Sequence, residues 1–130
     1  MKLLLALIVV AFALAGCGGD DSSGSGGGGS SSSSSSASAS SKPCASDAVV
    51  IKMANIKFDP AKATAKVGQA VCWENDDTVD HDASATSGAS FKSDLFSKGQ
   101  TFTTTVDKAG TVKYVCTIHP GMTGEIDVKG

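Results

Sequence analysis

Cys116, His119 and Met122 stand three residues apart in the run Cys116-Thr117-Ile118-His119-Pro120-Gly121-Met122, and the only other histidine of the chain is His81. These four side chains offer one thiolate, two imidazoles and one thioether. That is a soft, trigonal set with a weak axial donor, the ligand chemistry of a blue-copper electron-transfer site. Zinc accepts the cysteine and the histidines, but its usual donors are Cys, His, Asp and Glu, so a thioether three residues past the histidine argues for copper. Covalent haem needs a Cys-x-x-Cys-His run, and none is present. A Cys-x-x-His-x-x-Met string can also occur without function in a strand and its turn, so the surrounding pattern has to decide.

The surroundings are those of strands. With a period of two, Val112, Tyr114 and Cys116 share a face, which aims the thiol where the apolar residues point, and His81 shares a face with the small residues Ala83 and Ala85. Short alternating runs recur through residues 44–130: Ala63, Ala65 and Val67; Val71 and Trp73 on either side of Cys72; Phe102, Thr104 and Val106; Ile126 and Val128. Turn signals separate them at Asp59-Pro60, Val67-Gly68, Lys98-Gly99 and Ala109-Gly110. No long stretch has a helical period; one helical turn is expected over residues 91–96, with Phe91, Leu95 and Phe96 capping the core. The pattern predicts one all-β domain, a two-sheet β-sandwich with Trp73 in its core.

On these residues the chain resembles the cupredoxins of the small plastocyanin and amicyanin type. Residues 49–58 are similar to their first strand, Val67-Gly68-Gln69-Ala70-Val71-Cys72-Trp73-Glu74-Asn75 to their Val-Gly-x-x-Val-x-Trp-x-Asn segment, and residues 110–122 to their last ligand strand and loop, with the short amicyanin spacing between His119 and Met122. The resemblance implies a Greek-key sandwich holding one type 1 copper ion on His81, Cys116, His119 and Met122, and a one-electron carrier rather than an enzyme. In such a carrier His119, between Ile118 and Pro120, is the exit for the electron. Two positions depart from the family. Asp82 follows the first histidine where Asn is usual, and Asp80 precedes it where Pro is frequent. The family's Asn ties the two ligand loops together, a role Asp82 can fill by accepting from Thr117.

The start of the chain reads differently. The apolar residues 3–14 are too few to span a bilayer core and match the hydrophobic region of a signal peptide. Leu14-Ala15-Gly16-Cys17 has the form of a bacterial lipobox, which implies cleavage after residue 16, lipid on Cys17 and an extracytoplasmic, membrane-tethered protein; an ordinary secretory signal is the alternative. More than one buried acyl chain is needed for stable attachment, and a lipidated Cys17 carries them. Residues 17–43 form a linker of Gly, Ser and a little Ala with too little apolar surface to fold. Its reach as a flexible chain is about 25–30 Å.

Cys44 and Cys72 remain. Two leftover thiols in an exported domain usually pair, clipping the lead-in segment to a strand and closing a loop worth about 3–4 kcal/mol; two buried free cysteines are the alternative. Cys72, opposite Val71 and Trp73, is expected to point away from the core. With no arginine and a net charge of −2, nucleic acid is not expected as a partner. Glu74, Asp76, Asp77, Asp80 and Asp82 crowd the approach to His81, either as turn formers or as an acidic patch for a basic redox partner. Donor and acceptor redox proteins, a lipid surface and a monomeric state are therefore expected. Copper storage or delivery is the second reading, although such proteins usually display extra Met or His ligands and beyond the four named here residues 17–130 offer only Met53. A copper enzyme is disfavoured, since no third histidine exists to build an open site.

Overall fold

The computed structural model describes residues 36–130, an all-strand domain; the signal segment, the lipobox with Cys17 and the linker up to residue 35 lie outside the described residues. Ten strands follow in order: β1 (Ser36–Ala37), β2 (Val49–Ala54), β3 (Lys57–Asp59), β4 (Lys62–Lys66), β5 (Gln69–Asn75), β6 (Ser84–Ser87), β7 (Lys92–Ser93), β8 (Thr101–Val106), β9 (Gly110–Val115) and β10 (Thr123–Lys129). One sheet has the order β1-β7-β6-β9-β10-β4 and the other β3-β2-β5-β8. Both are mixed, because β10 runs parallel to β4 and β2 parallel to β5. This is the two-sheet Greek-key sandwich of the cupredoxins, with connections such as β4 to β5 and β8 to β9 crossing from sheet to sheet.

The alternation read from the sequence supplies the core. Ile51 and Met53, Ala63 and Ala65, Val71 and Trp73, Val112 and Tyr114, and Ile126 and Val128 all face inward and are buried. Trp73 lies at the centre of an aromatic cluster, 5.1 Å from Phe91, 5.5 Å from Phe102 and 5.3 Å from Tyr114 between ring centroids. Tyr114 meets Phe58 edge-on at 4.7 Å. Room for the Tyr114 ring comes from Gly124, directly opposite it on β10, where a Cβ would lie 2.2 Å from the ring.

Four local expectations are corrected. The helical turn over residues 91–96 does not form: Lys92 and Ser93 are strand β7, Phe96 is buried and bridged to His81, and Leu95 points outward. The single strand over residues 49–58 is two strands, joined by a two-residue turn at Asn55 and Ile56 with φ of 53° and 55°. That is a primed hairpin turn, with a β-branched residue where Gly is usual. Val67 ends its alternation exposed rather than buried, since the chain turns at Gly68. Ser40 pairs with Thr101 through two 2.7 Å backbone bonds and Ala39 packs on the core, so the last part of the Gly/Ser stretch lies on the sandwich. Polar residues without apolar surface can still dock, because pairing uses backbone groups that every residue carries.

Cys44 and Cys72 form a disulfide with Cα atoms 5.8 Å apart. Cys72 does face away from the aromatic core, yet it is fully buried, because the lead-in segment that carries Cys44 covers it.

Candidate metal centre

The ligand residues sit at strand ends rather than within strands. Cys116 is the first residue past β9, still in phase with Val112 and Tyr114, so its sulfur enters the interior at the rim of the core. His81 is held by a two-bond bridge to Phe96, with N···O distances of 3.2 and 2.9 Å. The loop after Cys116 closes on itself: Met122 N–H donates to His119 O at 3.1 Å and Cys116 N–H to Met122 O at 3.0 Å. Gly121 makes that tight return possible with a φ of 86°, a conformation costly for other residues.

These elements bring His81, Cys116 and His119 together, with their ligand atoms within 4.8 Å of one another. His81 Nδ1 lies 3.1 Å from His119 Nδ1, and Cys116 Sγ lies 3.7 Å from the first and 3.4 Å from the second. A triangle with these edges has its centre about 2.0 Å from each corner, close to the roughly 2.0–2.3 Å of first-row metal bonds to imidazole nitrogen and thiolate sulfur. His81 and Cys116 are buried and His119 is part-exposed. Met122, which closes the loop that carries His119, is buried at 2 % exposure.

Around this triangle the buried polar groups are paired. The Asp77 carboxylate lies 3.3 Å from His81 Nε2, which turns Nδ1 toward the centre. Asp77 in turn accepts from the N–H groups of Ile56 and Thr78, and those two bonds hold it below the usual carboxylate range. Asn75 donates to Val79 O and Phe96 O and accepts from Asp77 N–H, fastening the loop on both sides of His81. Asp82 accepts from Thr117 N–H at 2.6 Å and Thr117 Oγ1 at 3.0 Å, the tie between ligand loops expected of this pair. Burial pushes the Cys116 thiol up; the N–H groups of Asp82 and Ile118 oppose the rise and the Asp82 carboxylate adds to it.

Asp77 and Asn75 were legible only as turn formers and a family segment. The signal for Asp77 was its place four residues before His81; the hairpin that fixes it, from Ile56, is remote in sequence. The acidic run is spent on the loop itself: Asp76 pairs with Lys52 at 2.7 Å, Glu74 lies 3.9 Å from the same lysine, and Asp82 is buried. Asp80 alone of the five is exposed as a whole residue, and Glu74 and Asp76, with part-exposed side chains, share Lys52.

A family model for copper-binding proteins of the plastocyanin/azurin family matches residues 45–129. The chain belongs to that family. Among curated relatives it is 31% identical over 88 residues to amicyanin of Paracoccus versutus, covering 65% of this chain and 67% of the relative. To amicyanin of Paracoccus denitrificans it is 33% identical over 89 residues, covering 65% and 68%. An oxidised amicyanin variant superposes with a TM-score of 0.66 at 31% identity over 73% of this chain and 95% of that one, and a Cu(I) amicyanin variant with 0.64 at 31% over 69% and 90%. This cupredoxin is accordingly a blue-copper electron carrier and not an enzyme, with copper as its cofactor. The donor set fits that metal, since two imidazole nitrogens and a thiolate converge at bonding distance of one point.

Proposed function

We propose that this cupredoxin is a monomeric, extracytoplasmic, lipid-tethered carrier that takes one electron from one redox protein and gives it to another, with His81, Cys116 and His119 as strong ligands and Met122 as the weak axial one. The observation that carries the ligand assignment is the triangle of His81 Nδ1, His119 Nδ1 and Cys116 Sγ, whose centre lies about 2.0 Å from all three. Copper bound there supplies a one-electron couple. The chain supplies a frame that need not move between the two states: His81 is oriented by Asp77, the loops are tied by Asp82 and Thr117, and Asn75 fixes the approach. His119 is the side on which an electron leaves, because it is the ligand with an exposed edge. Val79, Leu95 and Ile118, on three loops of the site, are 40%, 52% and 47% exposed and offer partners an apolar contact around it. Tethering rests on the Leu14-Ala15-Gly16-Cys17 motif and an export context on the Cys44–Cys72 disulfide.

Visible spectra and a redox titration of the copper-loaded chain test the carrier reading: an intense band that bleaches and returns with the potential is expected, lost entirely in Cys116→Ser and kept in Met122→Leu with a higher potential. Copper bound without a reversible couple would make it a storage or delivery protein. Cys17→Ser is expected to release the chain from washed membranes with its colour intact; a variant that still sediments with them refutes the lipid tether.

A further inference from the structure

Asp82 follows His81 in the chain and reaches Thr117, which follows Cys116, so it touches both halves of the ligand frame. It is 2% exposed. Oδ1 accepts from Thr117 N–H at 2.6 Å, and Oδ2 accepts from Thr117 Oγ1 at 3.0 Å and Ser84 Oγ at 2.8 Å. Donors converge on both oxygens, an arrangement that suits a group able only to accept. The amide usual at this position in the family could accept from Thr117 N–H with its oxygen and turn its NH₂ toward the two hydroxyls, which would then accept; it would carry no charge.

We propose that Asp82 is a fixed anion built into the frame of the metal site, a positioning residue that also holds the potential of the carrier down by favouring the cupric state. This deepens the copper-carrier reading and rests on it. A negative charge in a water-poor interior attracts a doubly charged ion more than a singly charged one, and the attraction is weakly screened there. The hydroxyls of Thr117 and Ser84 spread part of that charge into hydrogen bonds. They therefore set how much of it the metal experiences.

Opposed substitutions in the copper-loaded full-length chain separate charge from mere fastening. Asp82→Asn keeps the shape and removes the charge, and is expected to move the potential upward with the visible band retained. It should also weaken Cu(II) binding in competition titrations more than Cu(I) binding. Thr117→Val and Ser84→Ala each remove one hydroxyl donor and leave the charge, and are expected to move the potential downward. Shifts of one sign in all three variants would show that Asp82 only fastens the loops and would overturn the proposal, as would an Asp82→Asn protein with an intact band and an unchanged potential. A wild-type chain with no blue band would instead defeat the copper-carrier reading itself.

Discussion

Two interior regions of this sandwich treat polar groups in opposite ways. At the ligand end Asn75 uses both amide hydrogens and its oxygen, and Asp82 takes three donors. In the aromatic core, Trp73 Nε1 and Tyr114 Oη are both buried without a hydrogen-bond partner. At the ligand end a polar atom is kept for the direction it imposes on a loop. In the core the rings are kept for their bulk, and their polar tips are carried along at a cost. Position is thus specified by hydrogen bonds where the site must be exact, and by volume where it need only be full.

Three substitutions sharpen this contrast. Asn75→Ala leaves Val79 O and Asp77 N–H without their partner and takes from Phe96 O one of its two donors, the other being His81 N–H, and is expected to cost about 3 kcal/mol by denaturant titration. It should also broaden the spectrum of the loaded site. A cost below about 1 kcal/mol would mean that water replaces all three bonds. Gly124→Ala tests bulk instead: the added methyl meets the Tyr114 ring, and a loss of about 1–3 kcal/mol with little change at the metal is expected. An unchanged stability would show that the ring has space to shift.

Tyr114→Phe should be smallest at neutral pH, within about 1 kcal/mol of wild type and on the stabilising side, because it removes an unpaired buried hydroxyl. Its effect should emerge in alkali. Burial pushes the Tyr114 phenol up to about 12, against about 10 in the unfolded chain. The neutral phenol is therefore favoured by folding, and its contribution, present in full below pH about 10, is lost as pH rises toward about 12. Thermal melts of Tyr114→Phe should fall less steeply than wild type over that window. Parallel curves would show that the phenol ionises in the fold as easily as outside it.

Much of this was readable in the chain because the chemistry depends on local spacing. The Cys116, His119 and Met122 interval lies in one loop, and the alternation of Val112, Tyr114 and Cys116 fixes which way the sulfur points. What escaped depends on contacts far apart in sequence. Asp77, which orients His81, is held in part by the N–H of Ile56 in a remote turn, and an Asn-Ile pair lacks the Gly that usually marks a primed turn. Phe91 and Phe96 suggested a helical face by their apolar spacing, but pairing of Lys92 with Ser84 and Ser36 and of Phe96 with His81 drew the segment into the sheet between β1 and β6. Ser36 to Ser40 had no pattern at all, since β1 and the Ser40 bridge pair through the backbone.

The disulfide between Cys44 and Cys72 also decides how the domain bears load. A pull arriving from the N-terminal side would peel β1 from β7 and then Ser40 from Thr101, each held by a few hydrogen bonds. At Cys44 it meets a covalent stop fastened to β5, in the middle of its sheet. Force would pass from there into β5 without first unzipping β2. The strands that frame the metal would stay in register while the segment before Cys44 is drawn out, so that stretch can act as an extensible leash whose slack is taken up before the fold is touched.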